Sequence, residues 1–401
     1  MKDQNTRQAR EECRDGEGQT RGDGIETNTT GEFQFDQAVM RDDATFIADG
    51  GIDSGSNARS GASEPGVERE PATPAVPLGD SRRAYARWST YVGGPVETEP
   101  IIRDRSVYVG TENGFVCSID RLDGVSNWLF QAPNAVGSPV PGAEFTYVGD
   151  RSGNLFALDG TTGTREWTFQ TDAGVEESPI LLGDSLYVAA RNGRVSTLDA
   201  ETGTETSSFR SPARALTSMQ IAGETLYATG LDGGLFAHCV SDGDERFRFA
   251  HSLAIAGAPA VVGETVYVGT VDGDRIYALD AETGKTEWRY EADAGIWSSP
   301  TVVGGIVYVG CSNGDILALD AEDGTVRWRV ETGAHVWGSL AVTDELVYAC
   351  NDDGLLVALD RSDGRIRWHF RAQDSLVGSP AVGSDAVYVG DVAGTVYSLP
   401  L

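Results

Sequence analysis

From about residue 81 onward, short apolar stretches of period two alternate with tight polar turns. Residues 299–330, SPTVVGGIVYVGCSNGDILALDAEDGTVRWRV, show the unit. The stretches TVV, IVYVG, DILALD and VRWRV are rich in Val, Ile, Tyr and Trp, residues that fit a pleated, half-buried surface, and they predict four β-strands. Between the second and third strands stand Asn-Gly or Asp-Gly pairs: Asn113-Gly114, Asn192-Gly193, Asp232-Gly233, Asp272-Gly273, Asn313-Gly314 and Asp353-Gly354. Such pairs tolerate positive φ and close antiparallel hairpins. Between the third and fourth strands an Asp precedes a Gly by four residues, as in Asp159/Gly163, Asp199/Gly203, Asp280/Gly284, Asp320/Gly324 and Asp360/Gly364. There the carboxylate can accept backbone N–H groups while the glycine takes the left-handed position.

The unit recurs. A tyrosine in the second strand returns at Tyr108, Tyr147, Tyr187, Tyr227, Tyr267, Tyr308, Tyr348 and Tyr388, at intervals of 39, 40, 40, 40, 41, 40 and 40. The long interval falls where GDRIYALD, 273–280, carries one residue more than GDILALD, 314–320. Eight four-stranded antiparallel units of about 40 residues predict an all-β, eight-bladed β-propeller over 81–401. The eighth unit supplies three strands and no fourth, whereas ARWSTY, 86–91, places Trp88 at the register of the fourth-strand tryptophans. The leading segment is therefore expected to complete the last blade. A closed ring leaves no open sheet to recruit other chains, and a monomer is expected.

Residues 1–80 differ. They hold 17 acidic and 8 basic residues amid Gly, Ser, Thr, Asn and Pro, with no sustained apolar period, and are expected to be a disordered acidic tail. The whole chain carries a net charge of −30, which disfavours nucleic acid and anionic lipid as partners. No apolar run approaches the length of a membrane-spanning helix. Lys2 and Lys285 are the only lysines among 31 Lys+Arg, a composition resembling that of proteins from salt-adapted archaea. The opening MKDQNTRQAREECRDGEGQ shows no export signal, so a cytoplasmic location is expected, or an exported one should the true start lie elsewhere. Cys13, Cys117, Cys239, Cys311 and Cys350 are odd in number, with no adjacent pair and no C-x-x-C, and indicate neither a disulfide framework nor a zinc site.

The stretches LDGTTGTREW (158–167), LDAETGKTEW (279–288), LDAEDGTVRW (319–328) and LDRSDGRIRW (359–368) resemble the A-x-D-x-x-T-G-x-x-x-W repeat of the pyrroloquinoline-quinone (PQQ) propellers, and IDRLDGVSNW (119–128) fits more loosely. The resemblance covers 81–401. It implies that Trp88, Trp128, Trp167, Trp288, Trp328 and Trp368 dock neighbouring blades. Ser207 and Phe247 stand at that register in two units, and Cys239 replaces a turn Asp, so looser docking is expected there. In quinoprotein alcohol dehydrogenases the resemblance implies PQQ held against a disulfide of adjacent cysteines, with Ca²⁺ on Glu, Asn and Asp. No adjacent cysteines exist here. The BamB-like, non-catalytic branch implies a protein-binding scaffold without cofactor, and PQQ with calcium is the enzymatic alternative.

A site is expected where the segments leading into each first strand ring the channel. Counting back from the tyrosines aligns Val96-Glu97, Ala135-Val136, Val175-Glu176, Ala215-Leu216, Ile255-Ala256, Ile296-Trp297, Val336-Trp337 and Leu376-Val377. Trp297 and Trp337 stand outside the docking register on adjacent blades, with His335 beside them and Glu97, Glu176 and Glu177 across the ring. They either plug the channel or anchor a protein partner or small ligand, since indole combines apolar area with one polar handle. Four histidines without H-x-x-x-H spacing offer no zinc set and no catalytic residue.

Overall fold

In the computed structural model, the described residues are 81–401 less 176, 213–215, 232–233 and 251–253. The expected tail, the site candidate Glu176 and the Asp232-Gly233 turn lie outside them. The described residues form eight sheets arranged as a propeller, and every pairing within a repeat unit is antiparallel. Blades 1 to 7 span 101–131, 140–170, 180–210, 216–250, 260–291, 301–331 and 341–371. Blade 8 joins three strands from 381–400 to Trp88–Tyr91, with Trp88 opposite Ser398 and Tyr91 opposite Thr395. First strands of neighbouring blades touch around the channel, and Ile101–Arg103 meets Ala381–Val382 to close the ring. The leading segment closes it as expected.

The core lies between the blades. Second and third strands are buried on both faces, as in Ile306–Gly310 and Asp315–Asp320, so they read as near-continuous apolar runs. The fourth strands face solvent on one side and keep the alternation. Each apolar cluster joins two consecutive blades: Tyr267 and Ile276 of blade 5 pack with Val307 and Leu319 of blade 6.

The repeat's tyrosine and tryptophan form one clamp. Within a blade the two rings lie 5.8–5.9 Å apart, as in Tyr308–Trp328 and Tyr267–Trp288. Both then reach the next blade's turn: Trp288 Nε1 and Tyr267 Oη donate to the Ala321 carbonyl at 3.0 and 3.1 Å. Trp88, Trp128 and Trp328 donate likewise to Arg121, Gly160 and Arg361. The turn glycine explains itself here. Gly163 has φ +69°, and a Cβ there would stand 2.6 Å from the Trp128 ring, so the indole lies directly on bare backbone. The turn aspartates serve their own backbones, as expected: Asp159 Oδ1 accepts from Thr161 and Thr162 N–H.

Both departing blades keep an aromatic dock. Phe247 packs against Gly284. Ser207 is exposed, and Phe209, two residues on, sits on Gly243 and lies 5.0 Å from the buried His238 ring.

Blade 8 draws its third and fourth strands from opposite ends of the described chain, so no turn of its own covers Trp368. A second short strand does. Arg82–Arg83 runs parallel to Ile366–Arg371 of blade 7, Ala84 N–H donates to the His369 carbonyl at 2.7 Å, and Ala84 is buried against Trp368, Phe370 and Tyr397. Ser81 Oγ lies 2.6 Å from His369 Nδ1, so His369 has a structural place in this strap. Blade 7 thereby becomes a five-stranded sheet.

Candidate functional site

The lead-in segments and second-to-third-strand hairpins share one face, stitched by backbone bonds. Val336 N–H donates to the Cys311 carbonyl of blade 6, and Asp352 N–H of blade 7 donates to the His335 carbonyl. The same pair of bonds recurs at Val96/Asp391 and Glu112/Pro95. In blade 2, however, Val136 donates to Thr111 and Arg151 to the Ala135 carbonyl. Val136, and not Ala135, is therefore the counterpart of Val96, and Gly137 is that of Glu97. The alignment by counting is off by one there, because the residue missing from the 39-residue interval is lost after Val136. The extra residue of blade 5 falls where expected: Thr270 N–H bonds to Arg275, five residues on, and Asp274 takes φ +50° in that turn.

Trp297 and Trp337 do come together. Their centroids lie 5.2 Å apart at 76°, edge to face, and both are half-buried. The His335 and Trp337 rings lie perpendicular to each other with centroids 5.1 Å apart. Its Nδ1 stands 3.3 Å from Asp352 Oδ2 without hydrogen-bond alignment, a contact that becomes an ion pair on protonation. Neither mouth indole N–H donates within the described residues, whereas four docking tryptophans spend theirs on a carbonyl.

The acids are distributed, not gathered. Glu177 lies half-buried on blade 3, far around the ring from Trp297 and Trp337 on blades 6 and 7. Glu97, on blade 1, is half-buried beside Glu112, whose two oxygens are held by Arg151 at 2.7 and 2.9 Å. Burial first, then the Glu112 charge, raises the Glu97 carboxyl to about 7, with Arg151 opposing. Counting missed Glu99. It lines the channel with its side chain open to solvent, yet the surrounding protein strips enough water to raise it also to about 7. Solvent contact makes that shift an upper bound. The signal was in the sequence: Ser299, Ser339 and Ser379 precede the first strands of blades 6 to 8, and blade 1 has Glu99 instead. Those serines form a belt, each Oγ accepting from the preceding blade: Ala258 N–H to Ser299, Ser299 N–H to Ser339, Ser339 N–H to Ser379, at 2.8–3.0 Å.

Among the described residues no group of His, Cys, Asp or Glu could hold a metal ion. Cys117, Cys239, Cys311 and Cys350 are free thiols on separate blades. The adjacent-cysteine disulfide of the PQQ–calcium arrangement has no counterpart among the described residues. Cavities of about 450–520 Å³ open in grooves between blades 1 and 2 and blades 6 and 7, away from the mouth indoles, and their lining includes groups already bonded, such as Arg327 to Asp320 and Arg361 to Val303. Among the described residues no helix is long and apolar enough to cross a membrane.

No curated protein matches the chain. Among solved structures, the computationally designed protein Ika8 is similar at TM-score 0.70 and 17% identity, over 78% of this chain and 98% of that one. BamB from Moraxella catarrhalis is similar at TM-score 0.68 and 19% identity, over 79% of this chain and 100% of that one. The quinohemoprotein alcohol dehydrogenase of Comamonas testosteroni is similar at TM-score 0.67 and 15% identity, over 80% and 76%. At these identities the likeness carries the fold alone. The sequence profile described as "Outer membrane protein assembly factor BamB" matches residues 131–249, 248–338 and 312–400, well over half of the chain. With the tyrosine–tryptophan clamp repeated around a closed ring, that match places the chain in the PQQ-repeat β-propeller family.

Proposed function

We propose that this propeller is a non-catalytic binding scaffold that takes a protein partner on its channel-mouth face through Trp297 and Trp337. One observation carries the reading: these half-buried indoles rest on each other at the channel mouth and donate no N–H among the described residues, whereas the docking tryptophans are seated between blades, four of them donating to the next blade's turn. Indoles with exposed area and a free donor are the residues that dominate binding energy at interfaces. Partner capture at high salt, comparing the native protein with the Trp297→Ala/Trp337→Ala double variant, tests it, alongside dye reduction with added PQQ, Ca²⁺ and alcohols. The expected result is a partner lost from the double variant and no PQQ-dependent turnover. Turnover, or a partner that the double variant retains, overturns it.

A further inference from the structure

We propose that the channel mouth recognises a cationic group, the ammonium or guanidinium of an inserted side chain, with Glu97 and Glu99 as its charge partners and the Trp337–Trp297 pair as its aromatic wall. This deepens the reading above and rests on it. Contiguity comes first. A Cβ on Gly338 would stand 2.7 Å from the Gly378 backbone, and one on Gly378 would stand 2.6 Å from the Thr98 carbonyl. The lead-ins of blades 7, 8 and 1 are therefore stacked backbone on backbone, and Trp337, Val377 and Glu97, each preceding one of those residues, follow one another around the rim. Along the rim the blade 8 lead-in, with Val377, stands between that of Trp337 and that of Glu97.

Charge balance comes second. Glu97 and Glu112 share one guanidinium, and Glu112 occupies it at both oxygens. Glu99 has no hydrogen-bond or ion-pair partner among the described residues, and burial alone raises its carboxyl. A structural duty does not explain it, because in blades 6 to 8 a serine at this register completes the belt. Glu99 without a counter-charge, and Glu97 with only the Arg151 charge that Glu112 already holds, favour a cation, and an adjacent indole pair adds attraction through its π faces. The indole wall also disfavours a bare metal ion, which wants convergent oxygens.

The test uses the full chain and the peptide acetyl-Gly-Gly-Arg-Gly-Gly-amide against its citrulline analogue, which keeps shape and loses the peptide's one positive charge. Calorimetry at pH 7, in the lowest salt that preserves the fold, is run in two buffers of different ionisation enthalpy. Binding of the arginine peptide is expected, with proton release, since both carboxyls are partly protonated at that pH. The citrulline peptide and the Glu99→Gln and Glu97→Gln variants should each lose roughly tenfold in affinity, with less proton release. Equal binding of both peptides, unchanged binding by both variants, or no binding at millimolar peptide overturns the inference. A captured protein partner lost from the tryptophan double variant but kept by both glutamine variants would sink the cation assignment and leave the binding face standing. Because the citrulline comparison leaves the protein untouched, it remains decisive should a variant fold poorly.

Discussion

The molecule uses one residue type in two ways. At the blade junctions, Trp328 lies on the bare backbone of Gly364 and donates to the Arg361 carbonyl, its area and its hydrogen bond both committed. At the mouth, Trp297 and Trp337 touch each other edge to face, and neither N–H donates among the described residues. The contrast teaches that a tryptophan's role in this ring is read from what its faces rest on, since Trp167 lies on the bare backbone of Gly203 as a dock yet spends no N–H.

The largest effect that sharpens this contrast is expected from Trp328→Ala, which removes a ring 8% exposed and should cost about 3–5 kcal/mol in denaturant unfolding. Trp297→Ala and Trp337→Ala should each cost about 0.5–1.5 kcal/mol, because the half-buried pair joins blades 6 and 7 only through an edge-to-face contact. Comparable losses at junction and mouth would erase the distinction.

Next comes the glycine beneath the ring. Gly203→Ala forces a Cβ to 2.6 Å from Trp167 at φ +69°, and a loss of about 2–3 kcal/mol is expected. Gly183→Ala, at φ +60° with nothing near its Cβ, should lose only the backbone part, about 1 kcal/mol. If the two melt alike, ring contact is not what the turn glycine provides.

A pH scan separates the junction without tryptophan. Burial lowers the His238 pKa, with its Nδ1 3.2 Å from the Gly243 carbonyl, its Nε2 3.3 Å from Ser211 Oγ, and Glu245 and Arg248 nearby. A base with a depressed folded pKa contributes stability that is complete above its unfolded value near 6.5 and falls away as pH drops below it. The melting temperature should therefore decline below pH 6.5, and His238→Gln should flatten that decline. An unchanged slope in the variant would remove His238 from the account.

The smallest effect lies at the mouth and has the opposite sense. Glu99 has a raised folded pKa, so the native state loses stability as pH climbs from about 4.5 to about 7 and levels beyond it. Glu99→Gln should melt slightly above the native protein at pH 8, and the difference should shrink toward pH 4. Because the carboxylate touches channel water, a gain of about 1 kcal/mol at most is expected.

Much of this was legible in the chain. The tyrosine spacing yields the blade number, and Trp88 in ARWSTY yields the closing strand, because both are repeated chemistry in a fixed register. The blade 2 offset was not, since a missing residue can be absorbed anywhere in a loop until the Val136–Thr111 bond fixes it. Phe209 standing in for Ser207 needed a view of which side chain meets Gly243. The Arg82–Arg83 strap was beyond reach: it pairs two residues in parallel with a strand nearly the whole ring away in sequence. Glu99 was within reach, had the serine register been counted as well as the indole one.

The closing strand of blade 8 sets the order in which the ring can be built. Trp88–Tyr91 emerges early from the ribosome and finds Thr395–Pro400 only when the last strand has been made. Bringing together ends some three hundred residues apart, instead of forty, costs about 2 kcal/mol more in loop-closure entropy, and the first-made strand stays unmatched throughout translation. Closing last, this seam is also where thermal opening is expected to begin.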